Sequence, residues 1–223
     1  MAGKLESLDI DDTLKHRRHR HWFDRLMMLS DGVFAIAITL LAAEFSMPRA
    51  WDGGWSGLWA GLAPQLDTYS MGFLVISIYW LAHRRFMAMI LTVDAPVTVF
   101  NLMALGLIAL VPAATRLIND HPSLPAARLV YAALVVAIGA ALALMWAYAA
   151  LIARRVSNEV SWPVRWFLLA LIVFTPPFFL LLTMAIPSPA HGVIPLTLAG
   201  LFLLGWPMRL WVVRRLGGKS YVS

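Results

Sequence analysis

Arg25, Ser30 and Asp31 stand close together in RLMMLSDGVFAIAITLLAAEF (25–45), a run otherwise apolar enough to enter a bilayer. A carboxylate at that depth is costly and is usually retained for a reason. Farther along, SIYWLAHRRF (77–86) brings Tyr79, Trp80 and His83, whose indole and imidazole N–H groups can donate to a carboxylate and satisfy buried polar atoms. Trp80 and His83 also fit a plain interfacial belt. Ser, Asp and His are the types of a nucleophilic or acid–base site, yet no nucleophile elbow, zinc-binding HExxH pair or paired catalytic carboxylates accompany them. No enzyme is expected. The chain lacks cysteine, which excludes disulfides, thiolate metal sites and cysteine nucleophiles; no metal site or cofactor is expected.

These residues must be positioned by membrane helices. Of the 223 residues 61% are hydrophobic and 13% charged, and the mean hydropathy is +0.74, values beyond those of ordinary soluble domains. Apolar segments of about 20 residues, the length that crosses about 30 Å of hydrocarbon, fall at 26–47, 63–86, 97–118, 126–153, 163–186 and 192–213. The fold expected is an all-α integral membrane protein of six transmembrane helices, since open strands would leave backbone groups unpaired in lipid. Lys and Arg divide 15 to 3 between the two sides, so both termini are expected to be cytoplasmic. Residues 1–24 form a basic cytoplasmic segment, 25–216 the membrane domain and 217–223 a tail.

The pI of about 10.2 follows from this topology and from attraction to anionic lipid head groups, so the lipid bilayer is the expected partner and nucleic acid is not. His16–His21 (HRRHRH) reads as a juxtamembrane anchor; binding a polyanion or sensing pH is the other role open to it. Residues 1–20 are expected to be loosely ordered. The linker PRAWDGGWSGLWAGLAP (48–64) should lie at the outer interface through Trp51, Trp55 and Trp59. A cleaved signal peptide is not expected at the first span, because the n-region is long and Asp31 interrupts the apolar core. Prolines within spans, among them Pro112, Pro176, Pro177, Pro195 and Pro207, free carbonyls and bend helices.

A helix turns 100° per residue, so Leu29, Gly32, Val33, Thr39, Leu40 and Ala43 lie within roughly 60° of Ile36, whereas Ser30 and Asp31 lie roughly 120° and 140° away. If the Ile36 stripe lines a conduit, Asp31 is expected to turn into the protein, with Ser30, Trp80, His83 and Arg25 as donors. Glu44, roughly 12 Å above Ile36, either concentrates cations at the outer mouth or is an ordinary interfacial carboxylate; Asp67 is a weaker candidate for the same place.

The Arg25–Ser30–Asp31 spacing resembles the RxxxFSD signature of the transmembrane protein 175 family of lysosomal potassium channels and their shorter bacterial homologues, with Leu29 where phenylalanine is usual. The resemblance extends to Trp80 and His83 on the second span, with Arg84 replacing a second histidine, and to Asn101 and Pro112 on the third, with Ala113 in a phenylalanine position. It implies a K⁺ channel without a TVGYG carbonyl filter, its pore built from the first helix of four subunits. The constriction and selectivity positions then map to Ile36, Thr39, Leu40 and Ala43, with Ala43 leaving the outermost ring wide. It also implies a hydrogen-bond network holding the Ser-Asp pair. The Ser-Asp-Gly helix occurs once, whereas vertebrate lysosomal members carry the unit twice; a homotetramer in a bacterial inner membrane is therefore expected.

K⁺ should be only weakly favoured over Na⁺, because it is the cheaper ion to dehydrate partially. The rival reading is a proton-linked secondary transporter using Asp31 and His83. Such carriers usually show internal repeats and broken helices round a midplane site, and the sequence displays neither.

Overall fold

A computed structural model of the chain describes residues 2–46, 51, 53–158 and 160–185, with side chains described between residues 21 and 178. The expected sixth span (192–213) and the tail (217–223) lie outside the described residues, as do Pro195 and Pro207. Every regular element among the described residues is helical. Helix α1 runs Ala2–Ala43, α2 Trp55–Met89, α3 Ala95–Ala109, α4 Val111–Asp120, α5 Pro125–Ala147 and α6 Trp162–Ala185.

Three stretches are long and apolar enough to cross a membrane: His21–Ala43 in α1, Ala95–Asp120 across α3 and α4, and Pro125–Ile152 in α5 and the turn that follows it. A shorter apolar helix covers Trp162–Phe178. Helix α2 has 35 residues, ample length for a crossing, but Gln65, Asp67, His83, Arg84 and Arg85 make it less apolar. The chain is an integral membrane protein.

Two expectations are corrected. The N-terminal segment is not loosely ordered: α1 starts at Ala2 and continues through it without a break. Nor does the outer linker extend to Pro64, because α2 already begins at Trp55 and carries Pro64 inside it. Pro64 is the tenth residue of α2, beyond the first turn, so it leaves the Ala60 carbonyl without its helical donor. Trp55 and Trp59 therefore project from the first turns of α2, both exposed.

Local chemistry sets the breaks. Asp94 caps α3, its Oδ1 accepting from Val97 N at 3.2 Å. Pro112 cannot donate to the carbonyl four residues earlier, and the third span divides at Leu110 into α3 and α4. Helix α5 ends in a π turn, Tyr148–Ile152, where Ala153 N donates to Tyr148 O at 2.8 Å. A buried guanidinium ties this turn to the loop after it: Arg165 donates to Ala150 O of the turn and to Val160 O of the loop at 3.0 Å, and to Ser157 O at 3.2 Å. Terminal carbonyls need such partners away from water.

Close approaches fix the packing of the bundle. A side chain on Gly72 of α2 would meet Leu41 of α1 at 3.0 Å and Thr115 of α4 at 3.1 Å. One on Gly139 of α5 would collide with the ring of Pro176 on α6. Trp146, Met145, Ile108, Ile76 and Met87, all at 0% exposure, form the centre of the core. Helix α1 packs against α2, α3 and α4.

Candidate functional site

Helix α1 is the least enclosed of the three long apolar stretches: 28% of its apolar window is buried, against 44% for Ala95–Asp120 and 56% for Pro125–Ile152. Leu26, Ser30, Phe34, Ala37 and Leu41 form its buried side, spaced three and four residues apart as one helical face. The opposite side presents Leu29, Gly32, Ile36, Thr39, Leu40 and Ala43, all exposed. Ile36 is 59% exposed. Of the expected stripe, Val33 alone is half-buried. A single copy of the chain thus leaves an apolar face interrupted by one hydroxyl.

That hydroxyl is already oriented. Thr39 Oγ1 donates to Ile36 O at 2.8 Å, so its one proton is used and its lone pairs remain free to face outward.

The polar residues divide into two separate sets. In the buried set, Ser30 Oγ donates to Leu26 O at 2.8 Å and accepts from Asn101 Nδ2 at 3.1 Å. Asn101 Oδ1 lies 2.6 Å from His83 Nε2. With Nδ2 committed to Ser30, Oδ1 must accept, so His83 carries its proton on Nε2. All three side chains are at 0% exposure, and the Phe34 ring stands 5.6 Å from the imidazole. His83 Nδ1 has no partner among the described residues.

The second set corrects the placement of Asp31. Its carboxylate does not turn into the protein but is exposed, at the seam between α1 and α2, where Trp80 Nε1 donates to Oδ1 at 2.8 Å. The guanidinium of Arg84 sits 4.9 Å above the Trp80 ring, a cation–π contact that helps hold the indole. Asp31 therefore has one of its expected donors. His83 and Ser30 belong to Asn101, and Arg25 is not in either set. Eleven residues, three turns, separate Arg25 from Ile36, which returns Arg25 to the exposed side. There it borders an open cleft of about 720 Å³ with His21, Trp22, Asp94 and Thr98.

Asn101 is the bridging group that a pairwise reading of Ser30, Asp31 and His83 misses. The signal for it is a lone amide in the otherwise apolar stretch of α3. At the other end of α1, Glu44 Oε2 lies 3.6 Å from Arg116 Nη1, and Arg116 Nε lies 3.5 Å from Asp120 Oδ2. Among the described residues no group of three or more His, Cys, Asp or Glu side chains is placed to hold a metal ion.

Comparison with known proteins places this geometry. The family profile described as endosomal/lysosomal potassium channel TMEM175 matches residues 25–112, from Arg25 to Pro112. A potassium channel of Streptomyces collinus is 35% identical over 128 residues, covering 55% of this chain and 62% of the relative. A potassium channel of Chamaesiphon minutus is 31% identical over 143 residues, 61% of this chain and 70% of the relative. The endosomal/lysosomal proton channel TMEM175 of Mus musculus is 27% identical over 146 residues, 62% of this chain and 29% of the relative. The crystal structure of a lysosomal potassium-selective channel TMEM175 homolog from Chamaesiphon minutus superposes with a TM-score of 0.60 at 24% identity, over 86% of this chain and 98% of that one. That likeness is one of fold.

Proposed function

The chain belongs to the TMEM175 family, and from that premise we propose that it is a cation channel conducting K⁺ through a pore formed by α1 of four identical subunits. The observation that carries the reading is the uncovered Leu29–Ile36–Leu40–Ala43 face of α1, with the Thr39 hydroxyl set into it. Exposed apolar side chains are ordinary in a membrane helix facing lipid; a hydroxyl held with its lone pairs outward at that depth suits a permeating cation. Relatives named as potassium channels support the choice of ion.

The mechanism follows from the residue types. A ring of Ile36 side chains is narrow and apolar, and water leaves such a constriction readily, so it closes the path to ions without a plug. Thr39, three residues on and one turn above, offers four hydroxyl oxygens that replace part of an ion's hydration. Leu40 adds a second apolar ring, and Ala43 leaves the outer end open. Selectivity for K⁺ over Na⁺ is weak, because partial dehydration costs K⁺ less and no closed cage of carbonyls is present to sharpen the difference.

In this reading both termini are cytoplasmic on the strength of the charge division, the spans number six with α2 among them, and the single Ser-Asp-Gly helix favours the bacterial inner membrane. Ser30, Asn101 and His83 hold α1 against α2 and α3, so the network sets where the pore stripe points without touching the ion. A proton-linked carrier would need Asp31 and His83 to exchange a proton, and the two bond to different partners. An ion-channel family gives no support to an enzyme.

The test is K⁺ flux into proteoliposomes of purified protein. Ile36→Asn, which substitutes a water-retaining amide for the apolar ring, should raise the flux severalfold. Unchanged flux from a normally assembled Ile36→Asn protein would take Ile36 out of the pore.

A further inference from the structure

We propose that Arg116 sets the electrostatic potential at the outer mouth of the pore, acting as a built-in brake on cation entrance; the proposal rests on the pore reading above. Glu44 follows Ala43 directly and lies one residue beyond the stripe, roughly 80° round the helix from Ile36. It does not stand alone, because Arg116 approaches it from α4 at 3.6 Å and holds Asp120 at 3.5 Å on its other side. The guanidinium is thus shared between two carboxylates. Each subunit keeps about one net negative charge there, and about four surround the mouth of a tetramer.

All three groups remain wet enough to act on ions rather than on folding. The side chains of Arg116 and Asp120 are 64% and 59% exposed, and that of Glu44 26%. Pairs of this kind contribute little to stability, so their conspicuous effect is on the local field. A charge set round a low-dielectric opening changes the concentration of counter-ions at it, strongly at low ionic strength and weakly at high. Neutralising Arg116 leaves both carboxylates unbalanced and doubles the negative charge. The position is set by the fold, since α4 packs against α1 and brings Arg116 to the end of it. The Arg116–Asp120 spacing of one helical turn then aligns both with the end of α1.

The experiment compares wild type, Arg116→Gln, Arg116→Lys, Glu44→Gln and the Arg116→Gln/Glu44→Gln pair by single-channel recording in K⁺ solutions of low and high concentration. Arg116→Gln should raise the current carried by cations from the outer side about three- to tenfold at about 10 mM salt, where the Debye length is about 30 Å, and by less than about twofold at about 1 M, where it is about 3 Å. Arg116→Lys should match wild type, Glu44→Gln should lower the low-salt current, and the double variant should return towards wild type. A well-assembled Arg116→Gln channel with wild-type current at low salt overturns the proposal. So does a gain that persists unchanged at high salt, which would indicate a structural effect. Ile36→Asn run in parallel separates the two claims: if it alters current and Arg116→Gln does not, only the role of Arg116 falls; if neither does, the pore assignment falls and Arg116 with it. Should Arg116→Gln fail to assemble, Glu44→Gln decides the same question, because an unaffected low-salt current there also overturns the brake.

Discussion

At the scale of single residues, Asn101 matters more to the architecture than the acidic residue beside Ser30. Its amide joins Ser30 of α1 to His83 of α2, all three side chains being fully buried. Asn101→Ala strands a buried hydroxyl and a buried imidazole, at a cost of about 1 to 3 kcal/mol. Asp31→Asn removes the charge from one exposed contact, and the amide oxygen can still accept from Trp80, so the loss should stay below about 1 kcal/mol. Thermal unfolding of both variants in one detergent ranks them, and equal stability would mean that the buried set is not what holds α1. Thr39→Val keeps the side chain's shape and removes its oxygen, so it should change the K⁺/Na⁺ permeability ratio measured from reversal potentials while leaving the unfolding temperature close to wild type.

Much of this arrangement is legible in the amino-acid sequence. The donor type and depth of Trp80 point to Asp31, and the spacing of Ile36, Thr39, Leu40 and Ala43 puts them on a common face. Which arc of α1 is buried is not legible there. A helical wheel gives angles between residues, but the position of α2, α3 and α4 round α1 decides whether 120° or 140° from Ile36 lies under a neighbour. Ser30 falls under α3 and Asp31 at the seam with α2, although they are adjacent in the chain. His83 can be matched to any acceptor at its depth, and tertiary packing selects Asn101.

At the scale of elements, the helices are shaped by where backbone groups lose their usual partners. Pro112 divides the third span into α3 and α4, while Arg165 reaches back to Ala150 in the π turn after α5 and to two carbonyls of the loop that follows. The proline advertises the first break in the sequence. The second has no comparable sign, because an arginine at the start of a span looks like one more positive charge on the cytoplasmic side, and its burial depends on the turn folding round it. Contact between α5 and α6 depends on the absence of a side chain at Gly139, which accommodates Pro176 and lies close to the hydroxyl of Tyr79. Gly139→Val should push α6 outward and cost about 1 to 3 kcal/mol, the usual penalty of overpacking. It is read as a lower unfolding temperature, with the Ser30–Asn101–His83 set on the far side of α2 undisturbed; an unchanged temperature would show that α6 adapts without strain.

At the scale of the whole molecule, the proposed pore needs more than one copy of the chain. Its core is closed round α2, α3 and α5, whereas α1 is held on one side by three helices and left open on the other. Four copies arranged with these open sides inward would bury the apolar face and create a path along it, with Arg25 towards one end and Glu44 towards the other. The chain has no cysteine of its own, so every cysteine introduced is the only thiol in its subunit, and access to it can be read without background. The most direct measurement is therefore block of reconstituted K⁺ current by a water-soluble cationic methanethiosulfonate, applied to channels carrying Ile36→Cys, Thr39→Cys, Leu40→Cys or Ala43→Cys, with Leu129→Cys and Phe174→Cys as exposed positions on other helices. If α1 lines the pore, the four α1 variants lose current on modification and the other two do not. Current that survives modification at all four α1 positions, or that falls only with Leu129→Cys or Phe174→Cys, would place the conduction path elsewhere in the fold.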